Sequence, residues 1–321
     1  MIWSSAPRVR GSRRRTSLYF VHRLISQTMI SKTLERSFTA IGGTVKGVAH
    51  RVNGKPNQDA LSLPRESTGR VVSVAGSDGH GSDQYFRSDF GSHAAAVAGR
   101  RVLRAALTPS KRDRLAAAAR QELVTTRIPR CVYRDWRTRV EAHLAECPLS
   151  DFELARLSPS QEAEVRVNPA IAYGCTLLAA GLGPTFGALL RIGDGTVAVI
   201  DHDEQLHRPF REDHRGGDES TASLCSSSAA SMIETAYLDY ADGPPRCVVC
   251  ATDGYTKSFA GAAEIENALF ALYEHVAKHG VDDFERGLRE MLDNTTKHGS
   301  GDDTTVVMVV NQSVFAGARS S

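Results

Sequence analysis

No stretch of about 18 consecutive apolar residues occurs in the 321-residue sequence, which excludes a membrane-spanning helix. Charge of one sign is not in excess either. Thirty-nine Lys and Arg stand against 37 Asp and Glu, a formal net charge of +2, so nothing marks the chain as a nucleic-acid binder. A glycine-rich nucleotide loop with its following lysine is missing, which argues against a kinase, and no internal repeat is visible. The 6 cysteines are scattered through apolar or helical contexts rather than set out as a disulfide framework. Reduced thiols and a cytoplasmic location are therefore expected. Cys247 and Cys250 do form a CxxC, but the intervening valines read as a strand, in which residues three apart point to opposite faces, so no zinc pair is expected.

Acidic residues are absent from the N-terminus until Glu35, whereas Arg8, Arg10, Arg13, Arg14, Arg15, Arg23 and Lys32 crowd it. Residues 1–36 are read as a basic, disordered extension or as sequence upstream of a true start at Met29, with an organellar targeting segment as the alternative. Residues 37–314 are expected to form the domain and 315–321 a tail. At 41% hydrophobic and 24% charged, the composition is that of an ordinary soluble globular protein.

Apolar patterning predicts a strand over 38–49, a polar turn at Asn53-Gly54-Lys55-Pro56-Asn57, and a strand over 71–75 that runs into Asp78. Residues 88–107, rich in alanine and free of proline, predict a helix lying on a sheet. Trp136, Val140 and Leu144 share one face of a second helix. Short strands follow over 175–180, 186–192 and 196–200, as in an antiparallel meander. Residues 202–245 look like an irregular surface excursion that could serve as a lid. A buried strand over 246–252 leads to a helix carrying Ile265, Leu269, Leu272 and Val276 and stopped by Gly280. Another helix carries Phe284, Leu288, Met291 and Leu292, and the β-branched run 304–310 closes the domain as a strand. Strands first and last, with helices between, predict an α+β arrangement of packed sheets covered by helices rather than a doubly wound parallel fold.

Three apolar strands end at, or begin from, an aspartate beside a glycine or a second aspartate: Asp78-Gly79-His80-Gly81, Asp253-Gly254, and Gly301-Asp302-Asp303. Carboxylates at strand ends converge readily on one rim, where they repel one another unless a hard cation sits among them. An oxygen-only donor set favours Mg2+ or Mn2+. Glycine after Asp78 allows close backbone approach, so that the Gly79 carbonyl can join the donors. Asp59, in Asn57-Gln58-Asp59, is a fourth acid placed to orient a water.

Together with Gly174-Cys175-Thr176 and Gly193-Asp194-Gly195, these motifs resemble the protein phosphatase 2C family of metal-dependent phosphatases, and more closely its bacterial branch, over roughly residues 38–312. The resemblance implies a central β-sandwich flanked by helices, in α-β-β-α layers, with two or more Mg2+ or Mn2+ ions at one end. It further implies that Asp78 bridges the metals, that the Gly79 carbonyl holds one, that Asp253 and Asp302 complete the other, and that Asp59 holds a water. His80 would be the general acid, and Arg51 is preferred over His50 and Lys55 as the phosphate grip because guanidinium binds phosphate oxygens bidentately. Gln58 departs from a glutamate common in the family, and weaker metal binding is the expected result. The implied activity is hydrolysis of phosphoserine and phosphothreonine in proteins. Implied partners are a phosphoprotein substrate and a serine/threonine kinase that the enzyme opposes, with no nucleic acid and no membrane. The alternatives are a catalytically weak sensing or scaffolding domain of the same fold, and a metallohydrolase of another class such as a nuclease.

Overall fold

The computed structural model describes residues 37–108, 115–210 and 222–312. The expected N-terminal extension and C-terminal tail lie outside these residues, as does the middle of the excursion over 202–245. In chain order the strands are β1 (Phe38–Val45), β2 (Ala60–Ser62), β3 (Thr68–Gly69), β4 (Val72–Ser77), β5 (Leu177–Leu182) and β6 (Phe186–Ile192). They continue as β7 (Thr196–Ile200), β8 (Leu206–His207), β9 (Glu234–Asp239), β10 (Cys247–Ala251) and β11 (Thr304–Asn311). Four long helices accompany them: α1 (Ser88–Leu107), α2 (Ile128–Glu146), α3 (Ala262–His279) and α4 (Val281–His298).

The strands form two sheets, ordered β3-β1-β11-β10-β7-β8 and β2-β4-β5-β6-β9, and the strand pairs are antiparallel. Side-chain alternation in the central strands explains why the sheets stack. In β11, Val307 and Val309 meet Val72, Val74, Leu178 and Leu189 of the other sheet, while Val306, Met308 and Val310 face Leu269, Leu272, Leu288 and Leu292 of α3 and α4. A strand covered on both faces reads as a continuous apolar run, and each fully buried valine contributes about 1.5–3 kcal/mol. The same alternation puts Cys247 toward the helices and Cys250 between the sheets, both as free thiols.

On the far side, α1 and α2 pack against the second sheet around fully buried Trp136, whose Nε1 donates to the Gly91 carbonyl at 3.1 Å. Small residues let α1 approach: a Cβ at Gly91 would stand 2.0 Å from the Tyr173 carbonyl oxygen. The result is a helix, sheet, sheet, helix sandwich, as expected.

Three expectations are corrected. The meander expected over 175–200 is split between the sheets: β5 pairs with β6 in one, whereas β7 crosses to the other and pairs with β10 and β8. The first strand ends at Val45 instead of residue 49, because Gly47 presses on the backbone of Asp302 and Asp303 and donates its N–H to Asp303 Oδ1 at 2.6 Å, turning the chain into a short helix, Val48–Val52. The stretch 202–245 is not wholly irregular either. It supplies β8 and the edge strand β9, which pairs with β6 and alternates Ala236 and Leu238 toward the sheet interface with Tyr237 toward the helices. With only those apolar residues among polar neighbours, β9 carries a weak strand signal.

Candidate metal centre

The sandwich delivers four loops to one rim. Strand β4 runs into Asp78-Gly79-His80, the β6–β7 turn presents Asp194, β10 leads through Thr252 to Asp253, and Asp302 precedes β11. Carboxylate oxygens of Asp78, Asp194 and Asp253 lie within 4.8 Å of one another. A cavity of about 210 Å³ is walled by these three with Gly79 and Asp302, together with His50, Gln58, His80 and Lys257. Its position at strand ends follows from the strands' own hydrogen bonding: the Asp78 N–H donates to Thr176 Oγ1 at 3.0 Å, and the Thr176 N–H donates back to the Asp78 carbonyl at 2.8 Å.

Two glycines of the motifs are steric necessities. A Cβ on Gly79 would come within 2.8 Å of the Gln58 and Ser88 carbonyl oxygens, and one on Gly254 within 1.9 Å of the Asp303 carbonyl oxygen. The backbone segments that carry the acids therefore touch directly.

Asp59 stands just ahead of β2 and is buried. Its Oδ2 accepts from Thr252 Oγ1 at 2.8 Å, whereas Oδ1 is enclosed with no hydrogen-bond partner. Burial pushes the Asp59 carboxyl up to about 8; hydrogen bonds from Thr305 and Thr252 oppose the shift and the charges of Asp303 and Asp253 reinforce it. Asp78 is likewise raised well above the ordinary carboxylate range, first by burial and then by the charges of Asp59 and Asp253. Enclosed oxygens, an orphaned lone-pair donor and mutually repelling carboxylates fit a hard divalent cation such as Mg2+ or Mn2+.

The adjacent aspartates of the last motif divide their tasks. Asp302 faces the cavity, while Asp303 is buried and accepts from the Gly47 N–H (2.6 Å), the Gln58 N–H (2.6 Å) and His50 Nδ1 (2.8 Å). Asp303 thus clamps the β1–β2 connection, a role the sequence reading did not assign.

Gln58 does more than reduce charge. Its Nε2 donates to Ser88 Oγ at 2.6 Å and to the His80 carbonyl at 3.2 Å, bracing the His80 loop against α1. The His80 ring lies 4.8 Å from that of Tyr85, and its Nε2 is buried without a protein partner. Burial pulls its pKa down to about 4, against a smaller upward pull from Asp253.

Arg51 is not among the cavity's walls. Its guanidinium donates to Asp293 Oδ1 of α4 at 2.5 Å, and its side chain is 40% exposed. Successive residues of a helix point about 100° apart, so the helix Val48–Val52 that turns His50 inward turns Arg51 toward α4. Lys55 donates to the Gly81 carbonyl at 2.9 Å. Asp194 and Lys257 are the site residues to which the sequence reading gave no role, although Gly193-Asp194-Gly195 and the i,i+4 spacing of Asp253 and Lys257 were both visible signals.

A family model described as protein phosphatase 2C matches residues 46–293. Among solved structures, the serine/threonine phosphatase Stp1 from Staphylococcus aureus aligns with a TM-score of 0.52 at 14% identity, covering 85% of this chain and 94% of that one. PppA, a key regulatory component of T6SS in Pseudomonas aeruginosa, aligns with a TM-score of 0.50 at 17% identity over 86% of this chain and 99% of its own. A bacterial serine phosphatase gives a TM-score of 0.50 at 14% identity, with 85% and 97% covered. At such identities the likeness speaks for the fold. No curated protein matches the chain.

Proposed function

Because the chain belongs to the protein phosphatase 2C family, and is thus a phosphoprotein phosphatase, we propose that it hydrolyses phosphoserine and phosphothreonine with two divalent cations held at the rim described above. The observation that carries this reading is the convergence of Asp78, Gly79, Asp253 and Asp302, drawn from three separate stretches of sequence, on one small cavity. Asp78 would face both ions, the Gly79 carbonyl one, and Asp253 and Asp302 the other. When bound, the cations supply a nucleophilic water at neutral pH and neutralise charge on the phosphoryl oxygens.

The chain's own residues do the rest. Asp59 is not among the cavity's walls but lies close enough for its charge to act on Asp78, and its unpartnered oxygen is the acceptor that would orient the attacking water. Water oxygen bonds to phosphorus as the bond to the seryl or threonyl oxygen breaks, and that oxygen needs a proton. His80 is placed to give it. Burial favours the neutral ring, so this role rests on the substrate's phosphate dianion, whose approach favours the imidazolium. The phosphate grip assigned to Arg51 requires its guanidinium to leave Asp293, an ion pair at the surface that solvent screening keeps weak.

The substrate of such an enzyme is by its chemistry the product of a serine/threonine kinase, and such a kinase is the natural opposing partner. Free cysteines support a cytoplasmic setting, and among the described residues no helix is long and apolar enough to cross a membrane. The test is Mn2+-dependent phosphate release from a phosphothreonine peptide by the purified chain beside Asp253→Asn. Release that needs metal and vanishes in the variant is expected; bound metal without release would instead favour a sensing or scaffolding domain.

A further inference from the structure

Lys257 has no place in the reaction just described, yet it stands in the wall of the cavity. It caps the short helix Asp253–Thr256, its backbone N–H donating to the Asp253 carbonyl at 2.7 Å, which fixes the root of the side chain next to Asp253. From there the side chain folds back. Nζ donates to Asp253 Oδ2 and stands 4.0 Å from Asp194 Oδ2. The Asp253 carboxylate is thereby shared, with Asp78 against it on one side and the ammonium on the other.

Resting on the metal-centre reading above, we propose that Lys257 is a built-in counter-ion at the Asp194–Asp253 edge, where it excludes a further divalent cation and limits the centre to the ions held by Asp78, Gly79, Asp253 and Asp302. Two carboxylates this close repel, and a cation between them relieves the repulsion. An ammonium covalently tethered four residues from Asp253 supplies one positive charge at high local concentration. A dication approaching the same edge meets that charge within a few ångströms and loses one oxygen of Asp253 as a ligand unless the lysine swings out. Asp194 then serves to hold Lys257 in place and is not a ligand of the working pair of ions. The lysine side chain is 61% exposed, so its removal leaves no cavity in the core.

The experiment is calorimetric titration of the full, chelator-treated chain with Mn2+, comparing wild type, Lys257→Met, Lys257→Arg and the double variant Asp194→Asn/Lys257→Met. Lys257→Met is expected to take up one more Mn2+ per chain, or to bind its weakest ion on the order of tenfold more tightly, since a unit charge beside a dication is removed. Lys257→Arg keeps the charge and is expected to titrate like wild type, and the double variant is expected to lose the gain, since Asp194 no longer offers a carboxylate. Thermal unfolding of the chelated proteins gives a readout independent of turnover: Lys257→Met is expected to melt below wild type without metal and to regain the difference with Mn2+. Metal binding in wild type with unchanged stoichiometry and affinities in Lys257→Met overturns the inference alone. No Mn2+ uptake by any of the four chains overturns the metal-centre reading and the inference with it.

Discussion

Replacing Arg87 with methionine should destabilise the protein by about 3 kcal/mol, near the lower end of the range for breaking a buried ion pair. The guanidinium is 11% exposed and makes five hydrogen bonds. Nε and Nη2 reach the two oxygens of Glu153 at 2.7 and 2.9 Å, Nη1 reaches the Cys147 carbonyl at 2.6 Å and the Tyr173 hydroxyl at 2.7 Å, and Nη2 reaches the Pro148 carbonyl at 3.0 Å. Methionine fills much of the volume but leaves these acceptors to water or to nothing. Glu153, 25% exposed, can rehydrate, which keeps the loss below the maximum. At about 2–4 °C per kcal/mol for a domain of this size, Tm should fall by roughly 6–12 °C. The acid limb supplies a second reading. Hydrogen bonding to Arg87 holds the Glu153 carboxyl down to about 2, from the usual 4.5, against the opposing effect of burial. A depressed folded-state pKa contributes stability that is complete above pH 4.5 and is lost as pH falls through about 2. Wild type should therefore lose more stability than Arg87→Met between pH 5 and pH 2, measured by urea unfolding at each pH. A variant within about 0.5 kcal/mol of wild type at pH 7, with a parallel acid limb, would refute the reasoning, since that is the scatter of ordinary surface substitutions.

Asp59→Asn should stabilise the chelated protein at neutral pH while weakening Mn2+ binding. Because its folded pKa is raised from 3.8 to about 8, wild type should lose stability as pH rises through that window, and urea unfolding of the chelated variant at pH 5 and pH 8 should show the slope reduced. Gly254→Ala should cost about 2–4 kcal/mol and abolish metal-dependent turnover, because its Cβ meets the Asp303 carbonyl oxygen at 1.9 Å; an unchanged melt would contradict the close-contact argument. His80→Asn should slow release from a phosphothreonine peptide far more than from p-nitrophenyl phosphate, whose leaving group needs no proton; equal losses would remove His80 from the acid role. Asp293→Ala frees Arg51 and should lower KM for a phosphopeptide severalfold, whereas Arg51→Ala should raise it; a KM unmoved in both variants would leave Arg51 a surface residue.

The strands of the sandwich were legible as apolar runs, and β6, β7 and β11 begin where the glycine turns and the β-branched run predict, but the passage of the chain from one sheet to the other between β6 and β7 was not. The acids were legible for a related reason, since each sits where a buried strand must end. What escaped was set by tertiary contact. Gly193-Asp194-Gly195 was visible as a motif, but its place in the site depends on the turn that carries the chain from one sheet to the other and sets Asp194 beside Asp78 and Asp253. The choice of Arg51 over His50 rested on guanidinium chemistry alone, whereas the turn at Gly47 makes the next residues helical and sends His50, not Arg51, to the cavity. Gln58 was weighed only as a missing charge, because its hydrogen bonds to Ser88 and the His80 loop join segments far apart in sequence.

The most direct test of the account is a single Mn2+ titration in which bound metal and phosphate release from a phosphothreonine peptide are followed together, for wild type and for Asp78→Asn. Release should rise in step with occupancy in wild type, and both should be lost in the variant, because Asp78 faces both proposed ions. Release that persists in excess chelator, or a variant that binds Mn2+ and turns over as wild type does, would contradict the central claim.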